Sequence, residues 1–280
     1  MIAIIKTEFQ KIKRYHILLI GLIGMFCSPL LQLFSQMLMN EELRDPNFHF
    51  ASLIDAVIWG NTQIFMPVLF TLTGGYLINR EYTDDTLKNI LTVPVSFRKF
   101  LAGKLAAIGL LSVLFGIYSL IVTWIVSVIA RLPGINAADF LYGLLRMIPL
   151  SVLIYVIVLP VIAFCSRRPG LFMTGSVLSF IAGYCVLFFK RGLLRDIYPF
   201  TAALTLIGFD TSSYTGAPDK GILPLAVLSL GCVLLVSVIL VYTAKVPEAA
   251  GKRKTPKKHA GSLRPAQRAQ MRSDTNYSIS

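Results

Sequence analysis

Six apolar runs, each long enough to cross a bilayer, constrain this chain more than any other feature. They cover residues 17–39, 56–78, 105–130, 141–165, 171–189 and 222–244. A hydrocarbon core about 30 Å thick takes about 17 to 25 helical residues to span. A soluble domain made from 280 residues has no interior large enough to hide six such runs. Backbone groups in lipid must be satisfied within their own segment, so each run is expected to be a helix. The expected fold class is an all-α integral membrane protein with six transmembrane helices. Only 15% of the residues are charged, against about 25% in soluble domains, which fits that class. The first run is too long for the apolar region of a signal peptide and ends in no A-x-A-like site, so it is expected to remain as an anchor.

Charge placement orients the helices. With the N-terminus in the cytoplasm, the inner segments hold twenty of the 27 Lys and Arg residues and the outer loops hold six. The positive-inside rule therefore puts both termini in the cytoplasm. Arg146 lies inside the fourth run and is expected to snorkel outward. Lys190, Arg191 and Arg195 run locally against the rule. Residues 197–209 are apolar but too short to span, and a span there would put the basic tail outside. They are expected to form an outer re-entrant hairpin between helices 5 and 6.

At the N-terminus, Ile2, Ile5, Phe9 and Ile12 recur at steps of three and four, with Lys6, Gln10 and Lys13 between them. That spacing predicts a basic amphipathic interfacial helix on the membrane surface. Residues 1–244 form the expected membrane domain. From Lys245 the composition turns basic and poor in bulky apolar side chains, so residues 245–280 are expected to be a disordered cytosolic tail. The net charge of +13 is thus read as topogenic, with the lipid bilayer as partner and no nucleic acid.

The interior carries few reactive groups. The cysteines Cys27, Cys165, Cys185 and Cys232 form no CxxC pair and read as packing residues, and His16, His49 and His259 are scattered. No catalytic, metal or cofactor-binding residue is expected. No Asp or Glu lies deep in a run, as ion coupling would require. Gly103-Lys104 lacks the glycines and the Ser or Thr of a phosphate-binding loop. A transporter of this composition draws its work from a partner. Neutral polar and small residues remain: Gln32 and Gln36 on one face of the first helix, Asn61 early in the second, and Gly175, Ser179 and Gly183 in a small-residue row on the fifth. They are candidates for a substrate path or subunit interface, or for plain helix packing.

Between the second and third runs stands NREYTDDTLKNILTVPVSFRKFLAGK, residues 79–104. Thr83 is a good N-cap, and Asp84 and Asp85 suit the positive end of a helix dipole. Leu87, Ile90 and Leu91 form an apolar stripe, and Pro94 stops the helix. The result is a helix of about two and a half turns, too short to be stable alone, with an apolar face to bury. The membrane surface or a cytosolic partner can supply the cover.

The stretch from Glu81 to Lys104 resembles the loop between helices two and three of type-2 ATP-binding-cassette (ABC) exporter permeases. The shared pattern is an acidic residue, a Thr-Leu-Lys-like helix, then Pro-Val-Ser and basic residues. Asp85 stands where many members have Gly. Within that family the chain is most similar to permeases that export, or confer immunity to, bacitracin and lantibiotic peptides. The resemblance implies a bacterial plasma-membrane exporter of two permease chains, identical or related, and two ATPase chains. ATP would act through the ATPase subunit, with none bound directly. The loop helix would be a coupling helix seated on that ATPase, with Glu81, Thr86, Leu87, Leu91, Pro94 and Arg98 as contact or shape residues. Its substrate would be a peptide antibiotic or another amphipathic molecule. The alternatives are a non-transporting membrane sensor or immunity protein that recruits a cytosolic partner, and a membrane enzyme. The missing acid, base and metal clusters disfavour the enzyme.

Overall fold

The computed structural model describes residues 7, 10–11, 16–39, 45–83, 97–166, 170–189, 191–216 and 221–244. The expected coupling helix, the basic tail and most of the N-terminal amphipathic segment lie outside these residues.

Among the described residues every regular element is helical. In chain order they are α1 (His16–Leu38), α2 (Phe50–Gly60), a π-helical turn (Asn61–Phe65), α3 (Met66–Thr83), α4 (Phe97–Ile129), α5 (Ala137–Cys165) and α6 (Phe172–Tyr184). A 3₁₀ turn (Cys185–Leu187) follows, then α7 (Leu193–Ile197), α8 (Pro199–Leu206), α9 (Ser212–Thr215) and α10 (Leu223–Tyr242). Among the described residues, five helices are long and apolar enough to cross a membrane. They are α1, the continuous Phe50–Glu81 unit, α4, α5 and α10, with 23, 32, 33, 29 and 20 residues.

The fifth apolar run differs from the expectation of six full spans. Its helical part, Phe172–Leu187, is shorter than those five. At 1.5 Å per residue it reaches about 24 Å, less than a hydrocarbon core of about 30 Å. The helix tightens into the 3₁₀ turn and the chain then turns at Gly192, whose φ of 77° suits glycine. Other boundaries move outward. The second span begins at Phe50 rather than at residue 56 and runs past Asn79, while α4 begins at Phe97 and is about 50 Å long. Polar residues at a helix end weaken the hydropathy signal without breaking the backbone hydrogen bonds.

Local signals account for the ends. Asn136 caps α5 by accepting from the Asp139 amide at 2.7 Å. The α4 helix closes with Arg131 in the left-handed region (φ 53°), where Leu132 N donates to the Ser127 carbonyl at 3.0 Å and Arg131 N to Val128 at 3.1 Å. This pair of bonds satisfies carbonyls that the helix end would otherwise leave open.

The second span is the centre of the bundle. In its most apolar window 78% of the residues are buried, against 28% for α1 and 22% for α10. Phe50, Leu53, Ile54, Ile58, Met66 and Phe70 are all buried on it. The first and last spans turn apolar side chains such as Leu31, Phe34, Leu235 and Val238 outward. In lipid that exposure carries no penalty, because acyl chains are as apolar as leucine.

Close approach of α6 to the second span depends on Gly183. A Cβ there would run into the Gln63 backbone carbonyl and lie 3.2 Å from Pro67 Cγ. Backbone cannot step aside as a side-chain tip does. Gly183→Ala is therefore expected to destabilise the protein by about 1–3 kcal/mol, the usual cost of overpacking, read as a lower midpoint of thermal unfolding in detergent.

Candidate functional site

Among the described residues, three polar clusters sit on the second span, one at each end and one inside. At the first end, Glu81 is buried in α3 and collects two cations on one oxygen. Lys11 Nζ donates to Glu81 Oε1 at 2.9 Å, and Lys104 Nζ lies 3.0 Å from the same atom. Lys104, in the second turn of α4, is 2% exposed and also donates to the Leu77 carbonyl at 3.0 Å. Its ammonium stands 5.5 Å from the Phe100 ring centroid. The cluster therefore joins the N-terminal segment, the end of the second span and the start of the third. Glu81 is two residues before Thr83, where the expected coupling helix begins. Nearby, Gly170 N donates to Asn79 Oδ1 at 2.8 Å and ties the loop before α6 to the same end.

Inside the bundle, Asn61 opens the π-helical turn, whose wide register is marked by Met66 N bonding to the Asn61 carbonyl. Turns of this kind are often found at functional sites. The Asn61 side chain is fully buried. Its Oδ1 accepts from Ser28 Oγ at 2.7 Å, and its Nδ2 donates to Ser119 Oγ at 2.9 Å and faces Met147 Sδ at 4.0 Å. One amide thus links four spans. Gln32 turns toward the same level, its Nε2 against Gly60. Three buried polar atoms have no hydrogen-bond partner among the described residues: Gln36 Oε1 and Gln63 Nε2 at this level, and Asp55 Oδ1 nearer the span's start.

The small-residue row of α6 faces the second span of its own chain. Ser179 Oγ and Thr71 Oγ1 are 2.8 Å apart, and Gly183 meets Gln63. A Cβ on Gly175 would come 2.5 Å from Cys165 Sγ and 3.4 Å from Thr71 Cγ2.

At the opposite end, Arg146 does not snorkel freely. Its Nη2 donates to the Gly208 carbonyl at 2.9 Å, its Nη1 lies 3.8 Å from Asp55 Oδ1, and its guanidinium stacks 3.9 Å from the Tyr142 ring centroid. The segment from α7 to α9 closes over this end. Arg195 is 5% exposed and donates to Thr211 Oγ1 at 2.9 Å, and Ser229 Oγ donates to the Ile197 carbonyl at 2.6 Å. Trp59 stacks on Tyr214 at 4.8 Å between centroids. Burial, with the charge of Asp55, raises the Tyr214 phenol above its ordinary pKa. Arg195, which counts against the positive-inside tally, is held inside protein at this end.

Of the expected coupling residues, Thr86, Leu87, Leu91 and Pro94 lie outside the described residues. Glu81 is placed in the ion cluster. The Arg98 guanidinium lies over the Tyr242 ring at 4.5 Å. Sequence reading gave neither Lys104 nor Lys11 a partner. One signal was available: Glu81 and Lys104 flank one loop between two antiparallel spans, so opposite charges meet at similar depth. Nothing in the pattern marked Gln63 as lacking a partner.

Membrane-length helices wrapped around a polar-notched central span define a multi-pass α-helical membrane protein. The chain belongs to the ABC-2 family of transporter proteins, whose sequence profile matches residues 4–186. It is similar to the bacitracin transport permease protein BCRB of Bacillus licheniformis, at 26% identity over 123 residues. That match covers 44% of this chain and 54% of the relative, so the chain spans about half the length of the curated protein it matches.

Proposed function

We propose that this protein is the membrane-spanning permease subunit of an ATP-driven exporter, with both termini in the cytoplasm of a bacterium. A separate ABC ATPase docks on the segment between α3 and α4, and a second permease chain, identical or related, completes the pathway. The observation that carries this reading is the Lys11–Glu81–Lys104 cluster, in a chain of the ABC-2 family. Movement imposed on residues 83–92 meets a knot that holds the second span, the third span and the N-terminal segment together. A push there turns helices rather than bending a loose loop. ATP is used on the partner, and this chain contributes no catalytic residue.

The substrate is a peptide antibiotic or a similar amphipathic molecule, a reading supported by the likeness to a bacitracin transport permease. Gln36 and Gln63, with polar atoms left unsatisfied, are suited to a path that accepts amide groups in turn. The α7–α8 pair forms a re-entrant hairpin on the outer side. Phe200, Ala202, Ala203 and Leu204 of α8 are buried, which supports insertion among the helices.

The test is co-purification. The tagged protein, extracted from its native membrane in mild detergent, is expected to bring down an ATPase with a Walker A sequence in a 1:1 ratio of chains. Recovery without any ATPase, under conditions that keep the protein folded, overturns the reading. Recovery with a histidine kinase alone favours a sensor instead.

A further inference from the structure

At the Glu81 end, α4, α5 and α10 leave a groove of about 590 Å³ between them. Its floor and walls are apolar, with Leu105 from α4, Leu159 from α5, and Leu234, Val238 and Val241 from α10. From Leu234 to Tyr242 the α10 wall runs about 12 Å along the helix. Arg98 and Lys99 stand at its mouth beside Tyr242. Both cations are exposed, and neither has a hydrogen bond or carboxylate partner among the described residues. Among the described residues, no acidic side chain lines the groove there. The Tyr242 ring holds the Arg98 guanidinium at 4.5 Å, which fixes one face of the cation and leaves its N–H edges open.

We propose that this groove is a binding site for an anionic phospholipid of the adjoining leaflet. The acyl chains lie along Leu105, Leu159 and Val238, and the headgroup phosphate takes charge-assisted hydrogen bonds from Arg98 and Lys99. Guanidinium and phosphate match as a two-bond fork, and a lysine adds a compact second charge. Basic pockets between helices at a membrane surface have this chemistry in general. Charge complementarity selects the occupant: a zwitterionic lipid would fill the apolar part equally well but leave the paired cations only partly neutralised. The site fills a space that three helices line, so its lipid would bias how α4 and α10 sit against α5. The lipid assignment stands apart from the export reading, and only the choice of inner leaflet rests on it.

Native mass spectrometry of the full-length protein, delipidated and then given phosphatidylglycerol or phosphatidylcholine with the same acyl chains, tests the site. One phosphatidylglycerol per chain is expected to survive at activation energies that strip phosphatidylcholine. Arg98→Gln with Lys99→Gln is expected to lower that retention about tenfold or more. Val238→Trp, which fills the groove and leaves both cations in place, is expected to lower it similarly. Lys257→Gln with Lys258→Gln removes equal charge from the tail and is expected to change nothing. The proposal is overturned if both lipids are retained equally, or if the tail variant matches the Arg98/Lys99 variant. It is also overturned if millimolar inorganic phosphate displaces the lipid, which would make free phosphate the ligand. Disruption of a dimer by Val238→Trp without loss of lipid would overturn it as well, by making the groove a contact between copies. Loss of ATPase association in the co-purification experiment leaves every one of these readings unchanged.

Discussion

Glu81→Ala is expected to cost about 3–5 kcal/mol of stability, the usual result of removing one partner from a buried ion pair. For a protein of this size that corresponds to a fall of about 10 °C or more in the unfolding midpoint. The cause is Lys104, which at 2% exposure cannot recover its hydration in place of the lost carboxylate, although the Leu77 carbonyl still accepts from it. Lys11 is half out of the bundle, at 38% exposure, and its loss is expected to matter much less to stability. The decisive comparison is Glu81→Leu with Lys104→Met. Apolar replacement of both partners removes the desolvation cost together with the attraction, and such swaps are commonly neutral or stabilising. The double variant is therefore expected to fold with a midpoint near the parent's. If the cluster's role is to transmit motion, substrate export should fall at least tenfold in this well-folded variant while ATPase association persists. Normal export in a folded double variant would reduce the cluster to packing.

The sequence made the bundle legible because bilayer crossing is a local property. Twenty apolar residues in a row announce a span, and five of the six runs became parts of long helices, two of which begin six and eight residues ahead of the apolar run. The run at residues 171–189 did not, because hydropathy reports how greasy a segment is and not where its helix tightens. Gly192 and the 3₁₀ turn shortened it without changing its composition. Position along each helix was readable, but azimuth was not. Lys104 stands near a helix start where charge is common, and only the fold shows that its face of α4 turns toward Glu81 and is buried. The place of Arg146 inside an apolar run predicts that it snorkels outward, and the structure differs. Its solution was a set of protein partners at Gly208, Tyr142 and Asp55, all remote in sequence from it or a turn away. Asn61 stood out as a polar residue in an apolar run, whereas its side-chain partners Ser28, Ser119 and Met147 arrive from three other helices. The row Gly175, Ser179, Gly183 was legible as a close-packing face. Which neighbour it packs against was set by the tertiary fold.

Leu87→Arg with Leu91→Arg is expected to abolish co-purification of the ATPase while leaving insertion and the unfolding midpoint of the permease intact. The two leucines are four residues apart and so share one face of the helix predicted from Thr83 to Thr92. A groove that buries two leucines must desolvate two guanidinium groups in their place, at several kcal/mol each unless acidic partners happen to be present. A loss of that order moves a nanomolar complex beyond the micromolar range, where it does not survive purification. The same variant on a helix that merely rested on the membrane surface would behave differently. Arginines can snorkel to the headgroups from such a position, so ATPase recovery would persist. Retained association would therefore remove the docking role from this segment. Set beside Glu81→Leu/Lys104→Met, the pair of variants separates two steps that a single transport defect would confuse. One is expected to lose the partner and keep the knot, and the other to keep the partner and lose the knot. Only if both lose export does work from the ATPase pass through residues 83–92 into the spans by way of Glu81.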